Sequence, residues 1–341
     1  MTGPAGPSFP SVGFAILGCG LMGARHGEVL RHLDGAVLRC AYDTDVERLA
    51  AFAGRFGCRA AGTAEDAVGD PSVGAVLVAA PSFLHGPMAL LAAREKKHVL
   101  IEKPIATDSA SGQEVIDRCA GAGVLASVVA QKRFDAGARQ IKAAIEEGLL
   151  GRIFLAEVSI NYYRDENYFK EAPWRASRAE SGGGVLMNQG IHYADLLLWF
   201  LGPAAEVRGA LSTVRPGYQE EDVAAALVEF ESGAIATLTA TTMAYPGFPE
   251  SITLYGSEGS CTLVEGRGLL RWDQRQGAPP PELPPEPALP EALPAKLHSM
   301  FRNHRDFLAA LREGRDPLVT PQEALAVVSL MERLYASART A

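Results

Sequence analysis

A short apolar run, Phe14-Ala-Ile-Leu17, gives way directly to Gly18-Cys-Gly-Leu-Met-Gly23, and a helix-like stretch follows. No other feature of the chain restricts its fold as tightly. Gly18 suits a tight turn, Gly20 lets the backbone approach a pyrophosphate, and Gly23 permits close helix–strand packing. The helix start, with Leu21 and Met22 in its first turn, offers free N–H groups and the positive end of a dipole to phosphates. Glycine-rich turns are common, so the pattern by itself also describes a simple tight loop. Two contexts favour a dinucleotide site. The motif lies between a strand and a helix, and Asp43 ends the second apolar run 20 positions after Gly23. A carboxylate there accepts hydrogen bonds from adenine-ribose hydroxyls and repels a 2′-phosphate. The expected cofactor is therefore NAD, with NADP less suited, and Arg48 softens that preference.

The pattern continues as alternation. Val37–Cys40, Ala75–Ala79 and His98–Ile101 are too short for helices and read as further strands. Helical spacing separates them, near 23–33, 44–56, 86–95 and 109–121. A strand at Ala126–Ala130 would complete a six-stranded, doubly wound parallel sheet, an α/β dinucleotide-binding domain over 12–130. Beyond about 150 the texture changes. Ile153–Tyr162, a hairpin over Val223–Thr242, Ser251–Tyr255 and Cys261–Val264 read as an antiparallel sheet. The expected second domain, 131–341, is an α+β substrate and oligomerisation domain with an open, mostly antiparallel sheet. Eight prolines between Pro279 and Pro294 make 278–295 an extended, mobile loop. Helical spacing returns from His298 and from Pro321, in a tail that packs back on the body. Residues 1–11, rich in Gly, Pro and Ser, read as a flexible tail with no secretory signal.

Composition sets outer bounds. With 48% hydrophobic and 21% charged residues the chain is globular, and no apolar run reaches the length of a membrane span. The formal charge of −8 points away from nucleic acid as a partner. Five scattered cysteines without CxxC pairs imply neither a disulfide framework nor a zinc site, and a cytoplasmic location fits them. No metal constellation and no GxSxG hydrolase motif is present.

Two segments carry chemistry. Ala80-Pro81-Ser82-Phe-Leu-His85 follows the fourth strand, and Glu102-Lys103-Pro104 follows the fifth. Both lie at the carboxyl ends of parallel strands, where open α/β sheets bind ligands. A lysine at that edge would sit beside a nicotinamide, although Lys103 taken alone reads as a solvated surface lysine. The second segment runs from Ser181 through Gly182-Gly-Gly184 to Asp195. On a helix there, Asn188, His192, Asp195 and Trp199 form one stripe, and Asn and Asp one turn to either side can orient the imidazole. A hydrogen-bonded core network is the other reading. Tyr162-Tyr163-Arg164 and Trp174-Arg175 are candidates to line a substrate cleft, where aromatic planes meet sugar C–H faces and arginine forks suit carboxylate or phosphate. The alternative is that Trp174 is core and the arginines are surface charges. Gln131 and Arg133 are weaker candidates, and His98, His298 and His304 read as structural.

Taken together, Gly18–Gly23 with His26, Pro81–His85, Glu102-Lys103-Pro104, Tyr163–Arg175, Gly182–Asp195 and Pro317–Pro321 resemble the glucose–fructose oxidoreductase / inositol dehydrogenase (Gfo/Idh/MocA) family. The resemblance covers nearly the whole chain after the first dozen residues. It implies a Rossmann domain followed by an α/β domain whose open sheet serves as an interface, hence a homo-oligomer, dimer or tetramer. It also implies NAD(P)-linked oxidation or reduction of a sugar, cyclitol or related polyol. Lys103 and His192 would converge from separate domains on the reacting hydroxyl. One departure is Asn188, where many dehydrogenases of the family carry an ionisable Asp. The resemblance further places Ala80, Pro81, Ser82, His85, Glu102 and Gln131 beside the cofactor, and Tyr163, Arg164, Trp174, Arg175 and Asn188 beside the substrate. Two other functions fit the same pattern less well: a cofactor-retaining lyase or hydrolase, and a non-catalytic dinucleotide or sugar sensor.

Overall fold

The computed structural model describes residues 11–340, so the expected tail lies outside the described residues except for Ser11. The chain divides into two compact units. One comprises the chain up to Ile105, Gly112–Val129 and Ala288–Pro321. The other comprises Ala106–Ser111, Ala130–Pro287 and the chain from Gln322 onward.

The first unit holds strands β1 (Val12–Leu17), β2 (Ala36–Tyr42), β3 (Arg59–Ala60), β4 (Ala75–Val78), β5 (His98–Ile101) and β6 (Ala126–Val128). They form a parallel sheet in the order β3-β2-β1-β4-β5-β6, with the reversal of strand order between β1 and β4. Helices α1 (Leu21–Arg31), α2 (Val46–Phe56), α3 (Ala64–Val68), α4 (His85–Arg94) and α5 (Ser109–Ala122) connect them. The four strands read as apolar runs have that character because both sheet faces are covered: β4 is buried along its length. The third strand is two exposed residues at the sheet's edge, too short to announce itself. Local chemistry sets the helix ends. Asp45 caps α2 by accepting from Arg48 N at 3.0 Å, and Gly57 at φ 66° stops it.

Helix α10 (His298–Glu313) belongs to this unit too, which revises the expected boundary of one domain over 131–341. Its stripe Phe301, His304, Phe307 and Leu308 is buried, and Phe307 packs at 6.5 Å from Phe14 of β1. The tail returns in two parts: α10 buries its apolar stripe in this core, and the helix that follows it, Pro321–Ser337, buries its own in the second unit.

The second unit is built on an eight-stranded sheet in the order β13-β12-β11-β7-β10-β9-β8-β14. Its strands are β7 (Ile153–Asn161), β8 (Ala204–Ser212), β9 (Val223–Phe230), β10 (Ile235–Thr241), β11 (Ser251–Gly256), β12 (Gly259–Val264), β13 (Gly268–Gln274) and β14 (Arg339–Thr340). The sheet is mixed: β10 runs parallel to β7, and β14 to β8, while the other pairs are antiparallel. Alternation gives it two faces. Ala236, Leu238 and Ala240 of β10 are buried, whereas Ile235, Thr237 and Thr239 are exposed. Helices α6 (Ala136–Glu146), α9 (Ile191–Leu201) and α11 (Pro321–Ser337) supply the apolar side chains that meet the inner face. The unit also carries two short helices, α7 (Glu166–Lys170) and α8 (Arg178–Ser181). The proline-rich loop is tied down where mobility is expected of it. Gln140 of α6 donates to Pro281 O at 3.3 Å, and Arg139 pairs with Glu286.

Replacing Phe307 by Ala empties a fully buried site between α10 and β1. It should cost about 3–5 kcal/mol, read as a lowered midpoint of the first unit in thermal or urea unfolding. An unchanged midpoint would show that α10 is not part of that core.

Candidate functional site

In the first unit the glycine turn has three different physical demands. Gly18 sits at φ +100°, and a Cβ there would come within 2.6 Å of Ala79 O. A Cβ on Gly23 would stand 2.0 Å from Gly18 O. Gly20 differs: at φ −71° any residue is allowed, and a Cβ would meet no atom within 4 Å. Nothing in the protein itself requires glycine at 20, and the space above it at the start of α1 fits a phosphate approaching the helix N–H groups.

Asp43, at the end of β2, is bound to that turn. Its Oδ2 accepts from Cys19 N at 2.8 Å, and its Oδ1 from Asp45 N at 2.9 Å. Arg48 forks onto both oxygens at 3.1 and 2.9 Å. Burial opposes ionisation here, but the Arg48 bonds and the two backbone donors outweigh it and hold the carboxyl below its ordinary value. Asp43 is thus held in its ionised form at the turn, with a cation beside it. Leu21 is exposed, and the Met22 sulfur accepts from Arg25 at 3.6 Å.

Lys103 is half-buried on a turn clamped from both sides, with a cis bond to Pro104. Glu102 Oε2 accepts from Lys103 N at 3.1 Å. On the other side, His85 Nδ1 lies 2.6 Å from Pro104 O and Nε2 lies 2.9 Å from Ala80 O. Burial lowers the His85 pKa, against the pull of its two carbonyl partners. Ser82 opens the 3₁₀ turn Ser82–Leu84 beneath α4 and is buried. The buried side chains of His85 and Glu102 are therefore turned to internal partners.

Behind that clamp runs a buried chain of three side chains. Met300 O can only accept, so His304 Nδ1, 2.8 Å away, carries hydrogen. Neutral His304 then presents a bare Nε2, which accepts from His26 Nδ1 at 3.0 Å. His26 Nε2 meets Glu102 Oε1 at 2.8 Å. Burial acts against the Glu102 carboxylate, yet the bond and charge of His26, with Lys103, bring its pKa below the ordinary value. Burial, with the His26 charge added, pushes His304 well below 6.5. His304, read from the sequence as structural, takes a buried place in this chain. Its signal was a histidine on the apolar stripe Phe301–Phe307, a polar group aimed at a core.

In the second unit, the glycine run ends in a π-helical turn, Leu186–Gly190, before α9. A π turn holds more residues than an α turn, so the expected Asn188–His192–Asp195–Trp199 stripe does not continue through it. Asn188 turns back instead, donating to Gly183 O and Gly184 O, both at 3.1 Å. Both partners are acceptors, which fixes the amide orientation and requires a donor that an ionised Asp lacks. Asp195 departs further from expectation. It gives both oxygens to the buried Arg133, at 2.9 and 2.7 Å, rather than orienting His192. Arg133 in turn stacks over Trp199 at 5.5 Å.

Glu221, between β8 and β9, holds the glycine run by accepting from Gly184 N at 2.9 Å, Leu186 N at 3.1 Å and Tyr335 Oη at 2.7 Å. Nothing in its local sequence marks it for that task. His192 is half-buried in the first turn of α9. Trp174 and Arg175 lie in the 3₁₀ turn Pro173–Ala176, and Arg164 and Arg175 both stack on Tyr168. Tyr163 is exposed and meets Tyr245 edge-on at 5.1 Å. Gln131 has a buried Oε1 without a hydrogen-bond partner.

Comparison with known proteins decides the family. Residues 12–130 match the oxidoreductase family with an NAD-binding Rossmann fold, and residues 138–262 match the GFO/IDH/MocA C-terminal domain. The chain is 33% identical over 298 residues to a 1,5-anhydro-D-fructose reductase of Ensifer adhaerens, covering 84% of this chain and 86% of that protein. The chain belongs to the Gfo/Idh/MocA family. It is also 27% identical over 250 residues to the myo-inositol 2-dehydrogenase of Thermotoga maritima, 72% of each chain. The WlbA dehydrogenase of Bordetella pertussis, solved with NADH and UDP-GlcNAcA, superposes with a TM-score of 0.85 at 29% identity over 96% of both chains. Among the described residues no helix is long and apolar enough to cross a membrane.

Two outcomes test this site. Gly20→Ala should leave the unfolding midpoint unchanged while weakening NADH binding about tenfold or more, whereas Gly23→Ala should lower the midpoint itself; calorimetry and NADH fluorescence titration separate the two. The buried chain sets a pH response. His304 and Glu102 both have folded-state values below their ordinary 6.5 and 4.5. The unfolded chain therefore binds more protons on the acid side, and stability present above pH ~6.5 falls as pH drops through it and then through the carboxylate range. His304→Gln should flatten the upper part of that slope in a series of melts from pH 8 to about 5.

Proposed function

We propose that the protein is an NAD-linked dehydrogenase that oxidises a secondary hydroxyl of a sugar, cyclitol or related polyol, or reduces the corresponding ketone. The observation that carries the reading is the glycine turn: it leaves room over Gly20 that the fold does not need, two strands along the sheet from the clamped turn of Lys103. The family and the named activities of its relatives support the same chemistry. The turn Gly18–Gly23 would hold the pyrophosphate and Asp43 the adenine ribose. The Ala80–His85 turn and Gln131, with its unpartnered oxygen, would line the nicotinamide end. Once bound, NAD supplies the hydride acceptor. NAD is preferred over NADP because Asp43 is ionised, and the Arg48 fork moderates the preference by offsetting that charge.

Lys103 and His192 are the proposed acid–base pair. The imidazole accepts the hydroxyl proton, and the ammonium donates to the same oxygen as negative charge develops on it; in reduction the transfers reverse. The backbone bond from Lys103 N to Glu102 and the His85–Pro104 contact keep the lysine's turn in one conformation, so little reorganisation is needed at reaction. Asn188 carries no proton in this scheme. Its amide holds the glycine run that precedes the π turn, and the three-residue relay of an Asp-bearing site is not used. The exposed sheet face, with Phe154 and Ile235 on it, supports assembly of like copies.

A screen of inositols, aldoses and sugar acids with NAD⁺, following absorbance of reduced nicotinamide, should find steady turnover. Lys103→Met should bind NADH nearly as well as wild type while turning over ~10²-fold or more slowly. Normal turnover by that variant would remove Lys103 from the chemistry. Substrate conversion without net reduction of added NAD would instead identify a cofactor-retaining reaction.

A further inference from the structure

Three arginines of the second unit share one unusual setting. Arg164 stacks at 4.4 Å over Tyr162 and 4.9 Å over Tyr168. Arg175 lies 4.3 Å over the Tyr168 ring and 5.3 Å over Trp174. Arg215 lies 5.1 Å over Phe169 and 5.2 Å over Tyr218. The rings interlock, with Tyr168 and Phe169 at 5.0 Å and Phe169 and Tyr218 at 4.6 Å. Such faces orient a guanidinium and strip water from it without neutralising it.

No carboxylate bonds to the three side chains either, although Glu166 acts on Arg215 at longer range. Among the described residues none of the three forms an ion pair, and the Nε atoms of Arg164 and Arg215 are buried without a hydrogen-bond partner. Their protein contacts are with carbonyls: Arg175 Nη1 donates to Tyr168 O at 3.1 Å, and Arg215 Nη2 to Arg164 O. The acids of the neighbourhood are spent elsewhere. Glu166 pairs with Lys170, Glu220 with Arg178, Asp165 caps Tyr168 N, and Asp222 accepts from Val214 N and Arg215 N. Partly buried cations that lack anions are costly, and a fold that keeps three together leaves a counter-charge to come from outside.

The cluster adjoins the π turn. Gln189 Nε2 donates to Tyr168 Oη at 3.2 Å, and one small cavity is lined by Tyr168, Phe169, Arg175, Asn188 and Tyr218. Glu220, Glu221 and Asp222 also line it, but their carboxylates are engaged by Arg178, by Gly184 N and Leu186 N, and by Val214 N and Arg215 N. Through Asn188 and Gln189 the cavity borders the turn that leads into α9, the helix that carries His192. We infer that the substrate bears an anionic group, a carboxylate or a phosphate ester, bound by Arg164, Arg175 and Arg215, so that the protein acts on acidic rather than neutral sugars. This rests on the sugar dehydrogenase reading above and narrows its substrate class.

The test uses the full chain with NAD. D-glucuronate, D-glucose 6-phosphate and D-glucose form a matched set in which the first two differ from the third in charge and from each other in its source. Binding to the NADH-loaded protein is followed by calorimetry, and oxidation by initial rates. At least one anionic probe should bind 100-fold more tightly than glucose, with an affinity that falls as salt is raised. Arg164→Gln and Arg175→Gln should each raise its Kd or KM 10- to 100-fold with little change in kcat, and Arg164→Lys should restore part of the loss. NADH affinity should stay at the wild-type value, which reports an intact first unit, and far-ultraviolet circular dichroism should match wild type. Binding without oxidation, lost in the arginine variants, would uphold the anion site while sinking the dehydrogenase reading. Equal affinity for glucose and both anions, no saturable binding of either anion, or arginine variants that weaken neutral and acidic ligands alike would overturn the inference.

Discussion

A buried carboxylate needs hydrogen-bond partners to offset its lost hydration, and Glu102 finds one in the His26 ring. Much of the first unit is arranged around this pair. His26 sits on the helix opened by the glycine turn, Glu102 ends β5, and His304 brings α10 to the far side of the imidazole. The remaining Glu102 oxygen reaches the backbone of Lys103. One imidazole thus ties together the helix opened by the glycine turn, the turn carrying Lys103, and a segment nearly 280 residues away. Removal of any partner leaves a buried charge or an unmatched donor, so the three are held as a unit.

The second unit solves a similar problem with the roles exchanged. There the awkward groups are backbone N–H donors of a glycine run entering a π turn, and Glu221 gathers them. Burial pushes that carboxyl up, while the donors from Tyr335, Leu186 and Gly184 pull it back. Asn188 completes the arrangement from the opposite polarity, giving its amide hydrogens to two carbonyls that Glu221 cannot serve. The substitution that distinguishes this chain from Asp-bearing relatives is therefore more than a lost proton. It supplies donors where a carboxylate has none.

What the sequence made legible follows from the range of the forces involved. β1, β4 and β5 are runs of apolar side chains buried almost throughout, and their composition shows it; β2 was legible from its apolar run although Arg39 is exposed on it. The glycine turn is equally local, and with the resemblance carried by Glu102-Lys103-Pro104 it made the family recognisable. β8 and β13 were missed because their exposed, charge-bearing patterns give no clean alternation. Side-chain pairing was the larger blind spot. Asp195 looked placed to orient His192 one turn away, but Arg133, 62 residues earlier, claims it with two hydrogen bonds. The π turn disturbed the same reading, since a helical wheel drawn at 3.6 residues assumes an unbroken α-helix. Arg215 joined the aromatic cluster from a loop that no local pattern connects to Tyr168 or Phe169.

The returning helix has a consequence for how the chain is made. Because Ala288–Pro321 completes the unit that begins at the amino terminus, and Ala106–Ser111 completes the other, neither is encoded by a continuous stretch. During synthesis the contacts of α10 with β1 cannot form until Ala288–Pro321 has emerged, long after the strand they cover. Closure of that core is thereby a step of high contact order. Products truncated before Ala288 lack α10's contribution to it.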